Sequence, residues 1–147
     1  MICDALATFA DDVALNTGGV GSYIIGDQID LQVERNVGAA LGHATLFLVV
    51  TVDTTATSGG AATLTLDLVT DSAPALDDTP AVIASSPTYA LADLVAGAQL
   101  IVIALPISDD YERYIGIQQR TGGVAFTGGA INAFLTTTPP ARRAYAQ

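Results

Sequence analysis

Apolar and polar residues alternate with a period of two along much of this chain. Residues 29–34 and 64–69 place an apolar side chain at every second position or more often. Such alternation is typical of strands with one buried face. Residues 46–52 and 100–105 are apolar at almost every position, which favours central strands covered on both faces. The pattern predicts a protein built of strands.

Turn-forming residues divide these strands, and they suggest which strands are neighbours. Residues 54–62 are rich in Thr, Ser and Gly, so they predict a loop that joins the strands at 46–52 and 64–69 as a hairpin. Residues 111–120 form a further strand, whose partner, at 130–135, follows after a tight turn. A short extended piece at 81–85 and a single helical turn within 90–97 complete the series.

The pattern gives about seven to nine short strands, a number typical of an antiparallel β-sandwich or jelly roll. We therefore expect an all-β fold with extended arms at both ends. The N-terminal arm covers residues 1–21, the sandwich domain covers 22–137 and the C-terminal arm covers 138–147. The second arm is distinguished by a Pro pair and by two of the chain's five Arg residues.

Side chains that could perform catalysis are scarce. Among 147 residues there are five Arg, no Lys, one His and one Cys. His43 has no second imidazole near it in sequence, and a triad also requires a nucleophile and an orienting acid. One His and one Cys cannot fill a zinc site without several carboxylates. The sequence therefore predicts no enzyme, no catalytic residue, no cofactor and no metal site.

The charge of the chain restricts its partners. The formal net charge is -10 at pH 7, which repels phosphate groups and argues against binding to nucleic acid. The apolar runs at residues 46–50 and 100–105 are far shorter than the ~20 residues that a spanning helix needs, so we expect no membrane contact. The first residues lack the basic start and apolar stretch of a secretory signal. A lone Cys3 is compatible with a reducing bacterial cytoplasm, where we expect the chain to be made.

Candidate contacts with other proteins lie in the two arms. Phe9 stands in the first arm, and Arg142, Arg143 and Tyr145 stand in the second. Arg and aromatic residues are enriched where proteins meet, although terminal residues also pack or fray. We predict that these four residues contact a partner. The remaining strand-associated arginines, Arg113 and Arg120, are expected to form ion pairs within the sheet.

The order of several segments resembles the capsid cement, or decoration, proteins of short-tailed bacteriophages. The likeness covers roughly residues 1–137. It rests on the segments at 46–50, 63–71, 105–106, 111–116 and 128–133, of which Tyr-Glu-Arg-Tyr-Ile-Gly at 111–116 is the most distinctive. Residues from 138 onward have no counterpart in that pattern.

The resemblance implies a jelly roll on the outer surface of an icosahedral virion, where it clamps neighbouring major capsid subunits. It also implies a homo-oligomer, a dimer as first choice and a trimer as second. The alternative function is a carbohydrate- or receptor-binding jelly-roll module of the phage particle. Such a module displays aromatic side chains over a shallow groove. The observation that separates the two is whether four tyrosines gather on one surface: Tyr23, Tyr89, Tyr111 and Tyr114.

Overall fold

Nine strands form two antiparallel sheets in the part of the chain that the computed structural model describes, residues 5–38, 45–77 and 79–140. The helical content of these residues is two 3-10 turns, at Ala5–Ala7 and Leu91–Asp93, and neither is long enough to cross a membrane. In chain order the strands are β1 (Thr8–Ala14), β2 (Gly21–Asp30), β3 (Phe47–Ser58), β4 (Thr63–Asp71), β5 (Ala81–Ser85), β6 (Tyr89–Ala90), β7 (Gln99–Ala104), β8 (Tyr114–Gly122) and β9 (Phe126–Thr136).

The order of strands in the two sheets is that of a jelly roll. One sheet, which we call sheet A, has the order β1-β9-β3-β7, and the other, sheet B, has the order β2-β8-β4-β5 with β6 paired to β4. The first strand thus lies beside the last, and the second lies beside the next to last. This nesting, with the chain crossing repeatedly between sheets, defines the double-sheet jelly roll. The predicted fold class is confirmed.

The two predicted hairpins are wrong, because the two strands of each predicted pair lie in opposite sheets. β3 is bordered by β9 and β7, whereas β4 is bordered by β8 on one side and by β5 and β6 on the other. Neither central strand has an edge left for the other. In the same way β8 and β9 belong to different sheets, although a short turn joins them. Alternation in the sequence shows which face of a strand is buried, but not which strand lies next to it.

Two strand boundaries differ from those that the pattern predicts. β3 continues to Ser58, opposite Phe126 of β9, so the expected loop from residue 54 is reduced to residues 59–62. The strand predicted at 29–34 overlaps β2 only at residues 29–30, because β2 covers Gly21–Asp30 and ends there. The Asp30 carboxylate accepts a hydrogen bond of 2.7 Å from the Gln32 backbone N–H, and Gln32 has a φ of 66°. This local turn ends the strand despite the alternation.

A single apolar core fills the space between the sheets. Its largest fully buried side chains are Phe9, Leu48, Leu64, Leu66, Leu68, Leu94, Leu105, Ile115, Ile117, Phe126 and Ile131. The predicted inward face of the last strand is confirmed, since Ile131 and Ala133 are fully buried and Leu135 is 8% exposed. The centre of the core is therefore built by the central strands of both sheets.

One polar side chain in the core joins two distant parts of the chain. Gln119 of β8 is fully buried, and its Oε1 accepts a hydrogen bond of 2.8 Å from the Asn16 backbone N–H. Its Nε2 donates to the Asn16 carbonyl at 3.1 Å and to the Thr121 hydroxyl at 2.8 Å. Because the amide oxygen and both amide hydrogens have partners, burial of this side chain carries no unmet hydrogen bond. The contact fixes the connection between β1 and β2.

Part of the outer face of sheet B is covered by the segment at residues 72–77. Leu76 is 1% exposed and lies over Gly116 of β8, where an added Cβ would stand 2.4 Å from a Leu76 methyl carbon. Gly116 is the register partner of Val69 in β4, and Val69 is fully buried. A glycine at this position allows Leu76 to pack against the sheet. This cover explains why Val69, on the outer face of β4, is fully buried.

The predicted N-terminal arm contains a strand of the sandwich. β1 pairs antiparallel with β9 and forms one edge of sheet A, so residues 8–14 are part of the body. At this edge the chain comes close to β2 of sheet B. A Cβ added to Gly26 would lie 2.1 Å from the Phe9 carbonyl oxygen, and Gly26 has a φ of 74°. Gly26 therefore permits β1 and β2 to meet and close this side of the sandwich.

Replacing Gly26 with Ala should separate β1 from β2. The added methyl group collides with backbone atoms and also requires a left-handed conformation, which together should lower the free energy of unfolding by about 2–4 kcal/mol. Gly59→Ala is the matched control, because no atom lies within 4 Å of its added Cβ. Chemical unfolding of both variants measures the difference. Equal stability of the two variants would contradict the proposed closure.

Candidate protein–protein interface

Phe9, the first predicted interface residue, lies in the core. It is 1% exposed, and the neighbouring Ala10 is 3% exposed. Because β1 pairs with β9 in sheet A, the Phe9 ring is enclosed between the sheets and has no surface to offer a partner. The prediction that Phe9 contacts another subunit is therefore wrong, and the packing alternative holds for this residue.

The other three predicted contacts, Arg142, Arg143 and Tyr145, lie outside the described residues. The last strand, β9, ends at Thr136, close to the predicted end of the sandwich domain at residue 137. After it, the Thr138 backbone N–H donates to the Thr136 hydroxyl at 3.1 Å. The interface role of the three tail residues stays a prediction.

Arg120 forms an ion pair within sheet B, as predicted. Its Nε lies 2.5 Å from Asp67 Oδ2 and its second guanidinium nitrogen lies 3.0 Å from Asp67 Oδ1. The Asp67 side chain is 1% exposed, whereas that of Arg120 is 48% exposed. The Ser85 hydroxyl also donates to Asp67. The hydrogen bond that Arg120 donates to Asp67 raises the pKa of Arg120. The buried Asp67 carboxylate of β4 thus bonds to side chains of both β5 and β8.

Arg113 forms the second predicted ion pair, with Asp30 at the end of β2. Two guanidinium nitrogens donate to the two carboxylate oxygens, each at 2.8 Å. This bidentate contact lowers the pKa of Asp30 to about 2. The Arg113 guanidinium carbon also lies 5.0 Å from the centre of the Tyr114 ring, a cation–π distance. Both charged side chains are well exposed, so the pair orders the surface more than it stabilises the fold.

The four tyrosines do not gather on one surface. Tyr111 is 3% exposed and donates to the Pro106 carbonyl at 2.9 Å, and burial raises its pKa to about 12. Tyr89 donates its hydroxyl to the Leu100 carbonyl. Tyr23 lies beside Gln119, and Tyr114 lies at the opposite end of β8. The arrangement expected of a carbohydrate-binding platform is therefore not favoured by these residues.

The outer face of sheet A near β1 is acidic. The Asp12 backbone N–H donates to Asn132 Oδ1 at 2.7 Å, and Asn132 Nδ2 donates to Asp53 Oδ1 at 3.1 Å. A hydrogen bond and charge repulsion from Asp53 raise the pKa of Asp12. Asp11, Asp27 and Asn132 line a shallow depression beside them, whose volume is about 560 Å³. Exposed carboxylates concentrated in this way favour a basic partner over an acidic one.

The side of the sandwich opposite to β1 and β2 has a different chemistry. A groove of about 240 Å³ lies between β5 and β7, with Leu48 and Leu68 among its lining residues. Apolar and small side chains from 84–87 and 100–103 form most of its walls. Sequence analysis identified residues 100–105 as a buried strand and missed the free edge of that strand. The scarcity of charged residues in this part of the sequence could have indicated the free edge.

No group of three His, Cys, Asp or Glu side chains that could hold a metal ion occurs in residues 5–38, 45–77 and 79–140. His43 and Cys3 both lie outside these ranges, so their predicted lack of a catalytic or ligating role stays a prediction. Within the same residues Asp71 Oδ2 is a buried oxygen without a hydrogen-bond partner. The other oxygen of that carboxylate accepts from the Ala73 backbone N–H at 3.0 Å, an ordinary turn contact.

Comparison with known proteins gives one family. The Bbp16 family model matches residues 18–135, which is most of the chain and nearly all of the sandwich from the start of β2 onward. No curated protein matches the sequence.

Removal of the Arg120 guanidinium should destabilise the sandwich, because it leaves Asp67 buried with the Ser85 hydroxyl and no counter-charge. We expect Arg120→Ala to lower the free energy of unfolding by about 1–2 kcal/mol, less than for a fully buried pair since the guanidinium is half exposed. The matched control is Arg113→Ala, whose partner carboxylate stays solvated and whose effect should be smaller. Urea unfolding of both variants measures this, and an Arg113 effect equal to or larger than that of Arg120 would refute the interpretation.

Proposed function

We propose that this chain, which belongs to the phage-related Bbp16 family, is a structural capsid cement protein and not an enzyme. In this role it binds the outer surface of an icosahedral phage head and holds neighbouring major capsid subunits together. The observation that carries the proposal is a jelly-roll body in a member of this family. The scarcity of nucleophiles, bases and thiols in the sequence supports a role based on binding.

The charge of the protein suits the outside of a filled phage head. A formal net charge of -10 gives the chain no attraction to a packaged genome, and the acidic depression on sheet A is one place where this charge is concentrated. A basic protein of this size would instead compete for nucleic acid. We therefore place the protein on the outer capsid surface of the virion, after synthesis in the host bacterium.

A capsid cement protein must keep its shape when it binds the shell, and the packing of this chain provides that rigidity. With one Cys residue the chain cannot form an internal disulfide, so stability must come from the core between the sheets. That core contains fully buried aliphatic side chains from the four central strands, β3, β4, β8 and β9. A rigid module loses little conformational entropy when it binds, which favours attachment.

Repetition over the shell makes strong attachment by individual copies unnecessary. When copies are linked to each other or bind across two capsid subunits, the second contact forms at high effective concentration. The expected partners are therefore the major capsid protein and the chain itself, as a dimer or, as second choice, a trimer. Within this proposal the tail residues Arg142, Arg143 and Tyr145 contact the capsid protein or a sister subunit.

The copy number of this chain in purified particles tests the proposal. We expect a ratio to the major capsid protein near one to one, measured by quantitative mass spectrometry of phage particles. A shell-wide cement must be present in numbers comparable to the shell itself. A few copies per particle would instead assign the protein to a tail or host-binding module, and its absence from particles would refute a virion role.

The tail can be tested on undecorated heads. We expect Arg142→Ala combined with Arg143→Ala to leave the melting temperature unchanged and to weaken binding to heads by roughly tenfold or more, because two charged contacts are lost. Arg35→Ala, which removes an exposed arginine elsewhere, is the control and should bind normally. Full occupancy of heads by the double variant at wild-type concentration would contradict a role of these arginines.

A further inference from the structure

The acidic depression on sheet A lies where two irregular strands meet. The register of β1 shifts between residues 10 and 13, and that of β2 shifts between residues 25 and 29. A β-bulge redirects side chains, and bulges are over-represented beside functional sites. Each irregular stretch carries one exposed acid of the depression, Asp11 in β1 and Asp27 in β2. The two strands therefore bring both carboxylates to one concave surface.

The depression also has an apolar wall, which is built by β9 and β3. Ala133 and Leu135 belong to the core between the sheets, so Phe134, which stands between them, points outward and is half-buried. Phe134 lines the depression. Its register partner in β3, Val49, is fully buried although it lies outside the core cluster. An aromatic ring is therefore presented beside a dry apolar patch of the sheet.

Asn132 gives the depression a polar side chain with a fixed orientation. Its Oδ1 accepts a hydrogen bond of 2.7 Å from the Asp12 N–H, and its Nδ2 donates to Asp53 Oδ1 at 3.1 Å. A side chain that is held in this way loses little entropy when a ligand binds. Thr51, its register partner in β3, adds a hydroxyl that can donate or accept a hydrogen bond. The sheet therefore contributes donors as well as acceptors.

The chemistry of these walls restricts the class of ligand. Ionised carboxylates only accept hydrogen bonds. The two ion pairs within the described residues use Asp30 and Asp67, so Asp11 and Asp27 stay available as acceptors. No three His, Cys, Asp or Glu side chains converge in that part of the chain, so a metal ion would lack ligands. A ligand that reaches from the two acids to Phe134 must offer several hydrogen-bond donors, an acceptor and an apolar face.

We propose that the acidic depression binds a neutral hexopyranose unit of an oligosaccharide. A pyranose ring has hydroxyl groups around its rim and an apolar C–H face, which are the features that these walls require. The C–H face packs on Phe134, and the hydroxyls donate to Asp11 and Asp27 and exchange hydrogen bonds with Asn132 and Thr51. The volume of about 560 Å³ is within the roughly 300–1,000 Å³ of small-molecule sites.

The same walls disfavour other ligands. A sugar that carries a carboxylate is repelled by both acids of the depression. A lysine or arginine side chain satisfies these acids, but it offers no acceptor to the Thr51 hydroxyl. A neutral sugar hydroxyl both donates and accepts, so it can bond to every polar group of the site.

Titration of the purified full-length chain, without any capsid, tests this inference separately from the proposed function. The probes are neutral trisaccharides of glucose, mannose and galactose, with trigalacturonic acid as the charged control, and binding is followed by NMR. We expect a neutral trisaccharide to bind with a Kd of about 1 mM or lower and the acidic one not to bind. Absence of binding by all neutral probes, or equal binding of trigalacturonic acid, would overturn the proposal.

Two sets of variants locate the sugar within the depression. Phe134→Leu removes the ring but stays apolar, so it should raise the Kd by roughly five- to tenfold, whereas Phe134→Tyr keeps the ring and should bind like the wild type. Asp11→Asn combined with Asp27→Asn replaces both charged acceptors and should raise the Kd by about tenfold. Asp77→Asn, at an exposed acid outside the depression, is the matched control. Circular dichroism melting of each variant establishes that it is folded.

The exposed acids keep the inference testable if a change at Phe134 disturbs β9. An unchanged Kd in both Phe134→Leu and the double Asn variant would place the sugar elsewhere and overturn the proposal. Binding of a tetralysine peptide that the double variant abolishes, without binding of any neutral sugar, would assign the depression to a basic protein segment instead.

Discussion

The packing of two apolar layers against each other determines the rest of this molecule. Leu48, Val50 and Ile131 come from sheet A, and Leu66 and Ile117 come from sheet B; all five belong to one buried cluster. Full burial of each such side chain contributes about 1.5–3 kcal/mol relative to its exposure. The strands that carry them are the central strands of their sheets, so each has neighbours on both sides. Apart from β4, β5 and β6, which share sheet B, consecutive strands lie in different layers, and this gives the jelly-roll connections.

This constraint explains how much of the fold the sequence could predict. Burial of a strand determines which of its residues are apolar. The alternating apolar residues of β4 and β9 and the apolar runs of β3 and β7 therefore predicted these strands within a few residues. The choice of neighbouring strand does not produce a comparable pattern in the sequence. A short turn after β8 looks like a hairpin turn in the sequence, whether its two strands join one sheet or enter two. Strand neighbours are set by the layers as a whole, which no local pattern describes.

The errors at β1 and β2 have more local causes. Asp11 and Asp12 interrupt the apolar pattern of β1, because both are exposed at an irregularity between Ala10 and Val13, where Asp12 has a φ of 50°. This interruption made the segment resemble an arm. Phe9 was predicted to contact a partner, but its side chain instead holds β1 against the core. At Asp30 the chain could either continue as a strand or turn. The hydrogen bond that the Asp30 carboxylate accepts from the Gln32 N–H favours the turn. The ion pairs of Arg113 and Arg120 were predictable because an arginine on a sheet finds an acid on the neighbouring strand.

The sandwich has two sides at which edges of sheets A and B face each other, one at β1 and β2 and the other at β5 and β7. These two sides differ in their packing. At β1 and β2 a glycine lets the backbones meet, so the edges of the two sheets close against each other within the chain. At β5 and β7 the edges stay apart, Tyr89 bonds to one carbonyl of β7, and the apolar groove between the edges remains. Acidic residues lie near the closed side, at Asp11, Asp12 and Asp27, whereas residues 79–108 contain one acidic residue, Asp93. The two sides of the sandwich therefore differ in charge as well as in packing.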